Sequence, residues 1–201
     1  MNCLKSSRLE RSLLIFAAEM RSRLLLDAPQ FNITIERLAH QVIESFDDFS
    51  EVAFLGLQPR GIYLSNRLKE RLESILPKQE FNFGELDVTF HRDDFRRREE
   101  PLSPLPTRVD FSIENKTVVL IDDVLYTGRT IRAALDSLMD LGRPKRVELL
   151  VLIDRRFSRQ LPIEADFIGR TIDSIDSERV DVKWEELDKK DEVLLYKMKN
   201  K

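Results

Sequence analysis

The most informative part of the chain reads Val118-Val119-Leu120-Ile121-Asp122-Asp123-Val124-Leu125-Tyr126-Thr127-Gly128-Arg129-Thr130. Its four apolar residues are typical of a buried strand, and two adjacent carboxylates follow them. A short turn then leads into a helix that we expect to run from Thr130 to about Leu141. The carboxylates can accept hydrogen bonds from a cis-diol, and free backbone N–H groups at the start of a helix bind phosphate. The stretch therefore predicts a site for a sugar phosphate.

The turn itself supports this interpretation. Thr127 and Thr130 add hydroxyl donors, and Gly128 lacks the Cβ that would block close approach of the backbone to a phosphate. The alternative is an ordinary strand–helix turn with a capping threonine, but the ordered series is far less common than an acidic pair alone. The stretch is not a P-loop, which ends in Gly-Lys-Ser/Thr, and it lacks the Gly-x-Gly-x-x-Gly dinucleotide fingerprint.

The order of apolar residues, two acidic residues, spacer and Thr-Gly-x-Thr resembles the PRPP-binding motif of type I phosphoribosyltransferases. The resemblance implies that Asp122 and Asp123 hold the ribose hydroxyls and that residues 127–130 hold the 5′-phosphate. It also implies Mg²⁺ as the cofactor, which the two carboxylates would reach through ribose hydroxyls or water. The complete set that we predict to bind PRPP or nucleotide is Pro59, Arg60, Asp122, Asp123, Val124, Leu125, Tyr126, Thr127, Gly128, Arg129 and Thr130.

Composition limits the class of protein. The chain has 201 residues, 42% of them hydrophobic, which suits one packed domain, or one packed domain with an appendage. The net charge of −3 and the pI near 5.6 argue against a generally basic nucleic-acid binder, although they permit a local basic face. A single cysteine, Cys3, excludes an intrachain disulfide, and two histidines make a histidine-rich metal site improbable. These features predict a cytoplasmic protein with no membrane partner.

The alternation of predicted elements indicates the fold class. Apolar strands at 52–57, 118–121 and 147–153 alternate with helical periodicity that begins at a capping Asp27 and returns at 62–75. Such alternation predicts an α/β fold with a mainly parallel sheet flanked by helices. Alternating residues at 86–90 predict a further strand, and late strands are expected at 167–168, 180–184 and 193–196. The resemblance adds the type I phosphoribosyltransferase fold with a small hood region.

We divide the chain into an N-terminal extension, residues 1–22, and a phosphoribosyltransferase domain, residues 23–201. Basic and apolar residues near the N terminus faintly imitate a signal peptide, but Glu19 interrupts the apolar run. The extension is better interpreted as a short amphipathic helix or as sequence upstream of the true start, for which Met20 is a candidate.

Ligands of open α/β sheets bind outside the carboxyl ends of parallel strands, so we expect the loops at 58–61, 122–130 and 154–159 to converge. Arg60 is positioned to bind a pyrophosphate bidentately, unless it is simply a surface arginine at a helix start. The charged segment at 91–116, which several prolines interrupt, is typical of a lid or a disordered loop, and Arg92 would add a cation to the pyrophosphate. Since loss of pyrophosphate passes through an oxocarbenium-like state, the predicted catalytic residues are Arg60, Arg92, Asp122 and Asp123.

Further motifs extend the resemblance from about Arg23 to the carboxyl end. They are Arg60-Gly61-Ile62-Tyr63-Leu64, Gly84-Glu85-Leu86-Asp87-Val88-Thr89, Arg92-Asp93-Asp94, Gly142-Arg143-Pro144 and Leu161-Pro162-Ile163. Together with the PRPP-like stretch they resemble the bifunctional pyrimidine operon attenuator and uracil phosphoribosyltransferase family. This implies conversion of uracil and PRPP to UMP and pyrophosphate. It also implies binding of pyrimidine operon leader RNA in response to UMP or UTP, transcription attenuation, and a homodimer or homotetramer.

The resemblance also implies roles for residues outside the PRPP-like stretch. Uracil contacts are expected from Arg155 and near Ile172, and RNA contacts from Arg37, His40 and Arg156.

The chain departs from the family pattern at several positions. Glu36 and Ser45 occupy positions where we expect Thr and Arg, and the loop after Arg155 is one residue longer, with Phe157 near the family's histidine. Tyr126 stands where purine-transferring relatives place an acidic base, so no general base is assigned. Pro59, often Thr in the family, favours the cis bend that such loops can use. Two alternatives therefore stay open, an enzyme without RNA binding and a non-catalytic nucleotide-sensing regulator.

Overall fold

The computed structural model describes residues 22–91, 105–175 and 177–197. The predicted extension, apart from Ser22, lies outside these ranges, and so does Arg92. The described residues divide into two compact units, one formed by residues 22–31, 175 and 177–197, the other by residues 32–91 and 105–174. Among the described residues, no helix is both long and apolar enough to span a membrane.

The regular elements follow one another in an α/β order. The strands are β1 (Ser22–Leu26), β2 (Val52–Leu57), β3 (Asn82–Leu86), β4 (Thr117–Leu125), β5 (Arg146–Arg156), β6 (Phe167–Asp173), β7 (Glu178–Lys183) and β8 (Glu192–Lys197). The helices are α1 (Ala28–Ser45), α2 (Gly61–Ile75), α3 (Arg129–Met139) and the short α4 (Glu185–Asp188). Two 3₁₀ turns lie at Phe49–Glu51 and Thr89–His91.

The larger unit is built on a five-stranded sheet in the order β3-β2-β4-β5-β6, with every neighbouring pair parallel. All six residues of β2 are buried, as are residues 118–122 of β4. Continuous burial along neighbouring strands is typical of a parallel sheet that is covered on both faces. The architecture confirms the predicted α/β fold with a mainly parallel sheet.

The smaller unit is a three-stranded antiparallel sheet in the order β1-β8-β7. Its centre is Trp184, which is fully buried and meets the ring of Phe31 edge to face at a centroid distance of 5.0 Å. The late antiparallel strands were expected from the sequence, whereas β1 was not. The small hood region that the resemblance implies stays a prediction.

The start of α1 is set by the predicted capping residues. The N–H of Gln30 donates to Oδ1 of Asp27 at 2.9 Å, and the N–H of Asp27 faces Oε1 of Gln30 at 3.4 Å. This reciprocal capping box satisfies donors that have no partner within the first turn. The sequence prediction of the helix start is confirmed.

The strand predicted at 86–90 is wrong in position, because β3 ends at Leu86. Asp87 follows, and its carboxylate accepts hydrogen bonds from the N–H of Thr89 at 3.1 Å and its hydroxyl at 2.6 Å. These bonds turn the chain into the 3₁₀ turn that begins at Thr89. The other carboxylate oxygen accepts the N–H of Leu105 at 3.2 Å, so Asp87 joins the chain on both sides of residues 92–104.

We expect Asp87→Ala to lower the free energy of unfolding by about 1–2 kcal/mol, because three partly buried donors, the N–H and hydroxyl of Thr89 and the N–H of Leu105, lose their acceptor. Asp87 is only 9% exposed, so water can replace the carboxylate poorly. Urea denaturation followed by circular dichroism measures the effect, with the exposed Asp110→Ala as the control. Equal midpoints for the two variants would contradict this role of Asp87.

Candidate active site

The loops that follow β2, β4 and β5 lie at one edge of the sheet. β4 is the parallel neighbour of both other strands, with Gly56 paired to Ile121 and Leu125 paired to Asp154. Because the three strands run in the same direction, their carboxyl ends lie side by side. The convergence of the loops at 58–61, 122–130 and 154–159 is therefore present in the fold.

The acidic pair lies within β4, which continues to Leu125 because it pairs with β5 as far as that residue. Asp122 is 8% exposed, and its Oδ1 accepts the N–H of Asp123 at 2.9 Å. Burial raises the pKa of Asp123, while the nearby Arg60 guanidinium and a hydrogen bond from the Val124 N–H act in the opposite direction. Arg60 and Asp123 are thus near enough to interact electrostatically.

The contact between the acidic pair and the preceding loop depends on Gly61, the first residue of α2. A Cβ at this position would lie 2.4 Å from the carbonyl oxygen of Ile121 and 3.1 Å from Cα of Asp122. The missing side chain therefore allows the start of α2 to rest directly on β4. The Gln58–Pro59 peptide bond just before it is cis, a form that proline tolerates far better than other residues do.

A buried glycine shapes the turn between β4 and α3, and a Cβ at this position would meet Ile163 at 3.2 Å and Leu161 at 3.4 Å. Gly128 has a φ of 88°, in the left-handed region, and α3 begins with the next residue. The carbonyl of Thr127 accepts the N–H groups of Gln160 at 3.1 Å and Leu161 at 3.2 Å. These bonds fasten the turn to the loop after β5 and leave a helix N-terminus of the kind that binds phosphate.

The remaining residues that we predict to bind PRPP occupy the same strand end and turn. Val124 and Leu125 close β4, Tyr126 and Thr127 form the turn, and Arg129 and Thr130 begin α3. Arg129 donates from Nε to Oε1 of Gln160 at 2.7 Å, which adds another link to the loop after β5.

The two candidate uracil residues are neighbours. Arg155 and Ile172 are directly paired across β5 and β6, and both are largely buried, at 4% and 6% exposure. Arg155 lies over the ring of Tyr126, with its Cζ 3.9 Å from the ring centroid, and donates from Nε to Oγ of Ser174 at 2.8 Å. The fold thus brings the candidate base-binding arginine onto the first residue of the PRPP-like turn.

The candidate RNA residues each have a partner within the protein. Arg37 donates to the carbonyl oxygens of Ile168 and Gly169 in β6. The half-exposed His40 lies 3.7 Å from a carboxylate oxygen of Glu36. Arg156 pairs with Asp173 at 2.8 Å and keeps a side-chain exposure of 56%. Their RNA contacts stay a prediction.

The site fits a magnesium ion that is held mainly by substrate oxygens. Within residues 22–91, 105–175 and 177–197, no group of three or more His, Cys, Asp or Glu side chains could hold a metal by itself. Mg²⁺ typically takes one or two carboxylates together with substrate phosphates and water. Asp122 and Asp123, next to a phosphate-binding turn, provide that number of carboxylates.

Comparison with known proteins agrees with this architecture. The model of the family described as phosphoribosyl transferase domain matches residues 23–187. A relative called bifunctional protein PyrR from Halalkalibacterium halodurans is 44% identical over 180 residues, which cover 87% of this chain and 97% of the relative. Another protein of that name, from Elusimicrobium minutum, is 41% identical over 178 residues, 89% of this chain and 98% of the relative.

Solved structures share the fold at low identity. The hypoxanthine phosphoribosyltransferase of Trypanosoma cruzi has a TM-score of 0.65 at 14% identity, covering 90% of this chain and 99% of that chain. A hypoxanthine-guanine phosphoribosyltransferase from Bacillus anthracis has a TM-score of 0.64 at 16% identity, covering 87% and 97%. These likenesses concern the fold alone. On the family match and the identity to its relatives, the chain belongs to the phosphoribosyl transferase domain family and, within it, to the bifunctional PyrR proteins.

Proposed function

We propose that the protein transfers the phosphoribosyl group of PRPP to uracil, giving UMP and pyrophosphate. We further propose that it binds pyrimidine operon leader RNA in response to UMP or UTP and so regulates transcription by attenuation. The observation that carries the proposal is the strand-end site itself, in which an acidic pair precedes a glycine turn at a helix N-terminus. The high identity to bifunctional PyrR proteins supports both halves.

Each part of PRPP has a matching group in the site. Asp122 and Asp123 accept hydrogen bonds from the ribose hydroxyls, and the N–H groups at 127–130 bind the 5′-phosphate. The departing pyrophosphate is bound by Arg60 and by Arg92, of which Arg92 lies outside the described residues. Mg²⁺, when bound, neutralises part of the pyrophosphate charge. Fixed cations and dipoles of this kind stabilise the charge that develops as the bond at the ribose C1 breaks.

Uracil lies, in this proposal, on the side of the site formed by Arg155 and Ile172. A guanidinium offers several N–H donors in a rigid plane, which suits the carbonyl oxygens of a pyrimidine. Arg155 keeps a fixed orientation through the Tyr126 ring and Ser174. Ile172 supplies a buried apolar neighbour.

A base screen tests the enzymatic half. The protein is incubated with PRPP, Mg²⁺ and, separately, uracil, cytosine, hypoxanthine, guanine or adenine, and the nucleotides are separated by chromatography. We expect UMP as the main product. Ribosylation of another base without UMP would overturn the uracil assignment, and nucleotide binding with no product from any base would favour the non-catalytic regulator.

The regulatory half predicts a salt-dependent contact from Arg156, whose exposed guanidinium lies at the end of β5. For Arg156→Gln we expect weaker filter binding of leader RNA in the presence of UMP and a salt slope smaller by roughly 0.7–0.9, the change for one lost phosphate contact. The exposed Lys78→Gln, which removes the same charge elsewhere, is the control. Wild-type protein that fails to bind the RNA at low salt would leave only the enzyme.

The assembly and location of the protein complete the proposal. We propose a homodimer or homotetramer in the cytoplasm, as the resemblance implies. Sedimentation velocity across a concentration series distinguishes these two states from a monomer.

A further inference from the structure

A single guanidinium connects the two halves of the site. Arg159, in the loop after β5, donates to the carbonyl oxygens of Leu125, at 3.2 Å, and Tyr126, where β4 passes into the PRPP-like turn. On the other side it donates to the carbonyl oxygen of Arg155 at 3.1 Å and to the carboxylate of Asp154. All these acceptor residues lie in the larger unit, at or just after the ends of the neighbouring strands β4 and β5.

The remaining donor of this side chain also has a partner. Nε of Arg159 donates to the carbonyl oxygen of Ile163 at 2.9 Å, so all three guanidinium nitrogens bind the protein. Its side chain is 23% exposed. A cation used in this way is poorly available to an RNA phosphate, which separates Arg159 from the exposed Arg156 at the end of β5.

We propose that Arg159 is a positioning residue that sets the distance between the phosphate-binding turn and the base-binding end of β5. Arg155 packs on Tyr126 and would contact the base, and Arg159 bonds the main-chain carbonyls of these same two residues. The turn has separate fastenings, since Thr127 is bonded to Gln160 and Leu161. Loss of Arg159 therefore leaves the phosphate-binding turn intact but shifts it relative to the bound base. This inference rests on the proposed binding of one nucleotide across both halves.

The sharpest test is Arg159→Lys, which keeps the charge. A lysine ammonium is a compact donor. It cannot replace the planar guanidinium of arginine, which donates to acceptors on several sides. We expect the dissociation constant of UMP, measured by isothermal titration calorimetry, to rise about tenfold, because small displacements of a bound group are costly. Ribose 5-phosphate, which uses only the phosphate-binding half, should bind within about twofold of wild type. In kinetics, the KM for uracil should rise more than the KM for PRPP.

The control is Arg146→Lys, an exposed arginine at the opposite end of the same strand that pairs with Glu148. It should leave both dissociation constants unchanged. A purely structural role of Arg159 would lower the folded fraction, seen as a smaller binding stoichiometry and maximal rate with unchanged UMP affinity. That result, or an equal loss of UMP and ribose 5-phosphate affinity, would overturn the proposal.

A second variant guards against failure of Arg159→Lys to fold. Asp154→Asn keeps the size of the side chain but removes the charge that fixes one side of the guanidinium. Asp154→Asn should also raise the dissociation constant of UMP, by a smaller factor than Arg159→Lys does. An unchanged UMP affinity would contradict the proposal. Wild-type protein that makes no UMP would instead refute the proposed function, and the nucleotide formed in the base screen would then replace UMP as the probe.

Discussion

Asp123→Asn should lower kcat/KM for UMP formation by about 100- to 1000-fold, the loss typical of removing one preorganised polar group from a reaction centre. The amide keeps the size of the carboxylate but replaces one acceptor oxygen with a donor, and it carries no charge to balance an oxocarbenium-like ribose. Asp123 lies where burial raises the pKa of its carboxyl and the Arg60 guanidinium opposes that shift. An amide loses the charge–charge part of this interaction with Arg60.

The same change should leave folding intact. Burial disfavours the charged form of Asp123, so a neutral amide of equal size removes a desolvation cost while it loses the attraction to Arg60. Steady-state assays combined with thermal denaturation separate the two effects. Asp136→Asn, on the exposed face of α3, is the control and should change kcat/KM by no more than about twofold. Wild-type turnover by Asp123→Asn would refute the ribose-binding role.

Patterns confined to one element predicted most of the fold. The apolar run in β2, the late strands and the capping box of α1 each depend on residues that are close in sequence. The convergence of the strand-end loops followed from the parallel order, because topology alone places those ends together. The site was therefore predictable as a location before any side-chain contact was known.

Features that depend on distant partners were missed. The strand β1 pairs with β8, nearly the whole chain away, and its five residues carry little periodic pattern of their own. The strand predicted through Val88 instead ends at Leu86, because the carboxylate of Asp87 binds the following turn. In the sequence, apolar residues continue to alternate beyond Leu86. In the structure, the side chain of Asp87 ends the strand before this alternation does.

Arg159 shows the same limit within the site. In the sequence it is one of three arginines at and just after the end of β5, and charge alone groups it with a solvent-facing basic surface. Its five acceptors come from three separate parts of the loop region, and no spacing rule identifies them. Arg37 is similar, because its guanidinium binds carbonyls of β6 that lie more than a hundred residues away.

Gly61→Ala is expected to affect both stability and catalysis. The added methyl group would meet the carbonyl oxygen of Ile121 at 2.4 Å and Cα of Asp122 at 3.1 Å, and both are main-chain atoms that cannot rotate aside. Overpacking of this kind costs about 3 kcal/mol of unfolding free energy. The start of α2 must move away from β4, which carries Arg60 away from the acidic pair. A displacement of about 1 Å in such a group lowers turnover by about 100-fold.

Urea denaturation and UMP assays on the same preparation measure the two effects, and Asn66→Ala is the control because Asn66 is an exposed residue of the same helix. Alanine favours helices, so the control should be at least as stable as wild type and equally active. The catalytic loss in Gly61→Ala should persist at low temperature, where the variant is fully folded, since its cause is the altered distance between Arg60 and Asp123. Recovery of full activity under those conditions would show that Gly61 contributes to stability alone, and that the close approach of α2 to β4 is not needed for displacement of pyrophosphate from the ribose.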